Sequence, residues 1–196
     1  MYWPNSIQQD SLGRLYELYY TVGVGWAFQH LFITANYTGV AMLPNILEPH
    51  LDHFNMVFQQ SDGNMINSIG NQTIGYSGNT LKTPIPLSAA IGAFTVPRES
   101  SKNDLDTYVL SQASSGDFEM RWQVDGGDWQ GPQGFPALKG ADKDTNIACL
   151  TPNAWPATNM LPQHDMSRCY FQVDGWLKEV HYDGKDWKDL GKIPMP

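Results

Sequence analysis

The sequence predicts an all-β chain: a β-propeller built from about 50-residue, four-stranded blades, with roughly three and a half to four blades in the chain. Three observations predict it. Only 16% of the 196 residues are charged, too few to clothe the wet faces of long exposed helices. Eighteen glycines and thirteen prolines punctuate the chain at the density of a protein made of short strands and turns. A fourfold repeat then sets the period: Gly13, Gly63, Gly116 and Gly175 lie 50, 53 and 59 residues apart.

Each unit can be justified in chain order. A short apolar strand runs into a glutamine, as in Ile7-Gln8-Gln9-Asp10, Val57-Phe58-Gln59-Gln60, Val109-Leu110-Ser111-Gln112 and Tyr170-Phe171-Gln172-Val173. The repeat glycine follows in a polar turn, where it supplies a positive φ. Two residues later stands an apolar residue (Leu15, Met65, Phe118, Leu177) that begins a second alternating strand, such as Leu15-Tyr16-Glu17-Leu18-Tyr19. Strand, turn and strand make a hairpin. An aromatic residue follows (Trp26, Tyr76, Trp129, Trp187), placed to wedge between neighbouring blades. The linking segments 27–54, 77–107 and 130–167 supply the remaining strands. The units run from about 1–50, 51–103, 104–163 and 164–196 as one propeller domain, with four hairpins but only three linking segments. Either a compact four-bladed ring closes with one abbreviated blade, or the chain is the C-terminal part of a larger propeller. The start in mid-unit favours the second, with the missing blades drawn from another polypeptide, a symmetry mate or a cleaved N-terminal piece.

Composition excludes several functions. A formal net charge of −8 argues against a nucleic-acid partner, whose phosphates require a basic face. No apolar run approaches the length that crosses a bilayer as a helix. Met1-Tyr2-Trp3-Pro4 carries no basic or apolar leader region, so no signal peptide is present in the chain. Two sequons, Asn36-Tyr37-Thr38 and Asn71-Gln72-Thr73, nonetheless mark glycosylation candidates. Cys149 and Cys169 are the only cysteines, and they form either one disulfide or two buried thiols. Together these features point to the secretory pathway.

The fourth unit carries a resemblance. Arg168-Cys169-Tyr170-Phe171-Gln172-Val173-Asp174-Gly175-Trp176-Leu177-Lys178-Glu179, followed by Asp183-Gly184-Lys185-Asp186-Trp187, resembles the blade motif of the fungal fucose-specific lectins. The resemblance implies a propeller with sugar sites between adjacent blades. It implies that Arg168 and Glu179 bond sugar hydroxyls while aromatic side chains cover the sugar's apolar face. The other units depart from the motif. The Arg column reads Asn5, Asn55, Tyr108, Arg168, and the Glu column reads Glu17, Asn67, Met120, Glu179. Recognition needs both the donor fork and the carboxylate, so one unit at most keeps a site. Across a hairpin the same two charges also form an ordinary structural ion pair.

Other motifs lead nowhere chemical. His50-Leu51-Asp52-His53 lacks a third ligand, so no metal is expected, and no cofactor motif or activated nucleophile is present. Trp3, Trp122, Trp155 and Trp176 fall outside the repeating aromatic column and are candidates for a pocket lining. The loss of Arg or Glu in three units favours a repurposed aromatic pocket for a small apolar or aromatic molecule. Its ligand-binding set is Arg168, Glu179, Trp176, Trp187, Trp26 and Tyr170. Catalysis there would rest on positioning, with Arg168 polarising a ligand carbonyl. Cofactor-free fungal cyclases of the hetero-Diels–Alderase kind are similar to diverged secreted proteins of this type. On that analogy the pocket would be a pericyclase; the alternative is a non-catalytic lectin with one retained fucose site.

Overall fold

The computed structural model describes residues 2–44, 53–71, 75–97, 105–124, 127–150 and 167–194. Among these residues it contains fifteen strands in four antiparallel sheets. The first sheet has three strands, β1 (Tyr2–Gln9), β2 (Arg14–Thr21) and β3 (Gly25–Ile33). The second holds β4 (Val40–Pro44), β5 (His53–Gln59), β6 (Asn64–Asn71) and β7 (Gly75–Pro84). The third holds β8 (Ile91–Pro97), β9 (Leu105–Gln112), β10 (Phe118–Val124) and β11 (Gln130–Gly134). The fourth holds β12 (Ile147–Cys149), β13 (Arg168–Val173), β14 (Trp176–Tyr182) and β15 (Trp187–Ile193). A single 3₁₀ turn, Pro136–Leu138, is the one helical element among the described residues. Every sheet is a meander of chain neighbours, as blades are. Each four-stranded sheet draws its leading strand from the linking segment of the unit before it.

Alternation decides what each sheet faces. Leu15 meets Met56, Phe58 and Ile66 between the first and second sheets, where the rings of Phe32 and Phe58 lie 5.0 Å apart. Leu43, Val57, Met65 and Leu81 meet Ile91, Ala93 and Val109 between the second and third. Phe94, Leu110, Phe118 and Met120 meet Cys169, Phe171, Val180 and Trp187 between the third and fourth. Each fully buried Leu, Ile, Val, Phe or Met among them contributes about 1.5–3 kcal/mol by leaving water. Among the described residues no cluster joins the fourth sheet to the first, so the four sheets form an arc with two open faces.

The repeated glutamine is a clamp. Gln59 donates from Nε2 to the carbonyls of Gly63, Ile85 and Pro86, and its Oε1 accepts from the Ser88 amide. Gln112 spans the same gap to Gly116 and Asp142, and Gln9 reaches Thr34 and Ala35. Each ties its own hairpin turn or strand end to the segment leaving the blade. The glycine is dictated at Gly13, where φ is +76° and a Cβ would lie 2.5 Å from the Thr34 carbonyl oxygen. The fourth hairpin differs from the others. Its loop is the dipeptide Asp174-Gly175, with φ of 52° and 75°, a two-residue turn of the kind whose twist suits a hairpin.

Cys149 and Cys169 sit directly opposite each other in the β12–β13 ladder and are joined as a disulfide. This decides between the two thiol readings left open by the sequence.

Candidate functional site

The repeat register defines two faces on every sheet. In β2 and β14, Leu15 and Glu17 correspond to Leu177 and Glu179, counted from Gly13 and Gly175. On the first three sheets this face packs against the next sheet. On the fourth no further described sheet covers it. The side chains of Cys169, Phe171, Val180 and Tyr182 point to the third sheet, so Arg168, Tyr170, Glu179 and His181 alternate onto the open face.

Ladder pairing brings these four together. Tyr170 is opposite Glu179 and Arg168 is opposite His181. Arg168 reaches diagonally so that Nη1 lies 2.6 Å from Glu179 Oε1, and the Tyr170 hydroxyl donates to the same oxygen at 3.0 Å. The Arg168 bond holds the Glu179 carboxyl below the usual carboxylate range, outweighing its partial burial. Burial, then the bond to Glu179, pushes the Tyr170 phenol up, so it stays a donor. The Arg168 side chain is 36% exposed and that of Glu179 17%, so the pair is open to a ligand yet partly screened from water. A guanidinium, a carboxylate and a phenol on one shallow surface can donate to and accept from neighbouring hydroxyls. His181 was not singled out by the sequence pattern, although its spacing of two from Glu179 in an alternating strand places it on this face.

The remaining candidates lie elsewhere. Trp187, expected to bind ligand, is 5% exposed in the core between the third and fourth sheets, 5.8 Å from the Phe94 ring and 5.3 Å from that of Tyr182. Its indole N–H points to Met120 Sδ at 3.3 Å, so the Glu-column position of the third unit is filled by protein. Trp176 is exposed but alternates onto the face opposite Glu179. Trp26, expected both to wedge between blades and to line the site, is 61% exposed on the outer face of the first sheet, stacked edge-on against Tyr20 at 5.4 Å. That face corresponds to the packed side of the fourth sheet, and no preceding sheet among the described residues covers it. With Phe28 it forms an aromatic surface, including a shallow cleft of about 300 Å³ lined by Gln8, Tyr16, Leu18 and Phe28.

In the first unit Glu17 is fully buried and accepts from Gln29 Nε2 at 2.6 Å. Trp129 and Trp122 pack against the cores on either side of the third sheet, and Trp3 lies in β1. Asn36 is exposed in the loop after β3, and Asn71 ends β6. His50, Asp52 and Trp155 fall outside the described residues, which hold no cluster of three metal-type ligands. No described helix is long and apolar enough to cross a membrane.

Solved structures share this arrangement. The chain is similar to AofleA from Arthrobotrys oligospora, with a TM-score of 0.73 at 15% identity over 96% of this chain and 52% of that one. It is similar to the SapL1 lectin in complex with alpha methyl fucoside, with a TM-score of 0.70 at 18% identity over 98% and 60%. It is also similar to the lectin of Aleuria aurantia, described as a six-bladed β-propeller with a novel fucose recognition mode, with a TM-score of 0.68 at 16% identity over 97% and 55%. At these identities the likeness establishes the fold: the four sheets are blades of a lectin-like propeller. The chain spans about half the length of the structures it matches. No family model and no curated protein matches it by sequence.

Proposed function

We propose that the chain is a non-catalytic, fucose-type glycan-binding module with its site on the open face of the fourth blade. The observation that carries this reading is the convergence of Arg168 and Tyr170 on one oxygen of Glu179. It supplies the donor and acceptor pair that the sequence resemblance requires, in the one unit that keeps both groups. The structures of similar fold whose descriptions mention fucose add support. On this reading a further blade, from a longer chain or a second polypeptide, covers the sugar from the opposite side. The secretory pathway, with glycans on Asn36 and Asn71, is the compartment in which such a module would work.

The cyclase reading needs Arg168 inside a tryptophan-lined pocket. The described residues do not gather one, because Trp187 is spent in the core and Trp26 lies three blade interfaces away along the arc. The aromatic cleft of the first sheet is the feature that still speaks for a small apolar ligand, but it lacks Arg168.

Retention on immobilised L-fucose tests the proposal. The wild-type chain should bind and elute with free fucose, and Arg168→Ala should flow through with an unchanged far-UV spectrum. Equal retention of the variant would sink the site assignment.

A further inference from the structure

The inner strands of the blades follow a common rule. β4, β8 and β12 each open on a β-branched residue, which is followed by a small one and, in fourth place, by a large apolar one. The segments are Val40-Ala41-Met42-Leu43, Ile91-Gly92-Ala93-Phe94 and Ile147-Ala148-Cys149-Leu150. Their register is equally constant. Val40 lies opposite Phe58, Ile91 opposite Ser111 and Ile147 opposite Phe171, in each case the residue before the repeated glutamine. All three run antiparallel to the strand that carries that glutamine.

Packing explains the pattern. The first and third residues face the preceding blade: Val40 packs on the Leu15 cluster, and Ile91 and Ala93 join the Val57 cluster. The second and fourth face the following blade, as Ala41 and Leu43 do toward the third sheet and Phe94 toward the fourth. The second must be small because the next inner strand lies against it. A Cβ on Gly92 would come within 3.0 Å of Ile147 Cγ2. The fourth is buried wherever a following blade is present. Leu43 and Phe94 are fully buried, while Leu150, with no following sheet described, is 41% exposed.

The first sheet departs from the rule. Its glutamine strand, β1, is an edge of the sheet, and no inner strand pairs with it among the described residues. On the matching side of the next blade, β4 is uncovered. Met42 shares the face of Val40 and is 42% exposed, whereas Ala93, in the same place on β8, is 5% exposed. An open strand edge beside exposed apolar surface is a template for strand addition.

We propose that the β1 edge and Met42 form an acceptor site for an extended segment of a partner polypeptide. The segment carries Val or Ile, then Ala or Gly, then any residue, then Leu or Phe. It runs antiparallel to β1 with its first residue opposite Gln8, the residue before the clamp Gln9. Its backbone pairs with β1 as β4 pairs with β5. Its small second residue lies against Val40, and its fourth packs on Met42 and faces the second sheet. The site uses neither Arg168 nor Glu179, so it stands apart from the fucose-type reading.

Titration calorimetry on the whole chain, with a blocked synthetic peptide copying residues 38–43, tests the proposal, and amide hydrogen exchange locates the contact. The peptide should bind saturably and slow exchange in β1. Its affinity should fall about tenfold or more when the peptide carries Ala41→Leu, too large for the second place, or Leu43→Ala, too small for the fourth. In the chain, Met42→Asp at its exposed position should weaken binding in the same way. The proposal is overturned by no saturable binding, by equal affinity for the altered peptides, or by protection confined to the outer strands β3, β7, β11 or β15. Protection of β1 that rises with chain concentration and shuts the peptide out also overturns it, by making a second copy the occupant. Arg168→Ala should keep peptide binding and Met42→Asp should keep retention on fucose, so the two readings fail separately.

Discussion

At the scale of single residues, the proposed function rests on one short diagonal. Glu179 is held below the usual carboxylate range because its charged form receives Arg168 and Tyr170. A carboxyl lowered on folding contributes fully above its unfolded pKa and loses that contribution as pH falls through its folded value. Sugar binding should therefore persist through the ordinary carboxylate range and fade only below it, when the acceptor protonates. Glu179→Gln should weaken binding and remove this acid limb, and fluorescence titration across pH would show both. Arg168 and Glu179 were singled out through the likeness of their unit to the lectin blade motif, and the strand register brings the two side chains into one hydrogen bond. The expected wedge role of the aromatic column holds at Trp187, which packs between the third and fourth sheets, and not at Trp26, whose face no described sheet covers. Burial of an aromatic depends on the neighbour, and a single unit carries no record of its neighbour.

At the scale of elements, the repeat is a mechanical unit. The glutamine column was visible as a pattern, but its purpose was not, since the carbonyls it binds lie up to 30 residues away. Gln59 makes three such donations from a fully buried amide. Gln59→Leu should cost about 1–3 kcal/mol by leaving buried carbonyls unmet, measured by urea denaturation. The disulfide was left undecided by spacing alone and is explained by register, because β12 places Cys149 opposite Cys169. It closes a loop across 20 residues and anchors β12 to β13. Replacing both cysteines by serine should lower stability by about 3 kcal/mol, and reduction of the wild-type chain should approach the same value.

At the scale of the whole molecule, the propeller was legible and its continuity was not. Four alignable hairpins with three linking segments predicted three and a half to four blades, either as a ring with one abbreviated blade or as part of a larger propeller. The structure locates the shortfall in the first sheet, which has three strands. The arc leaves an aromatic face at one end, with Phe28 72% exposed, and the Arg168–Glu179 face at the other. At the inner interfaces the Glu-column positions hold Glu17 bonded to Gln29, a buried Asn67, and Met120 beneath the Trp187 indole. On the proposed function, the described residues leave one fucose-type site, on the fourth blade.

Titration calorimetry with α-methyl fucoside tests this most directly, because stoichiometry reports valency and the variant reports location. The account predicts one site per chain in the wild type and no measurable heat in Arg168→Ala. Several equivalent sites per chain, or heat that survives in Arg168→Ala, would contradict it.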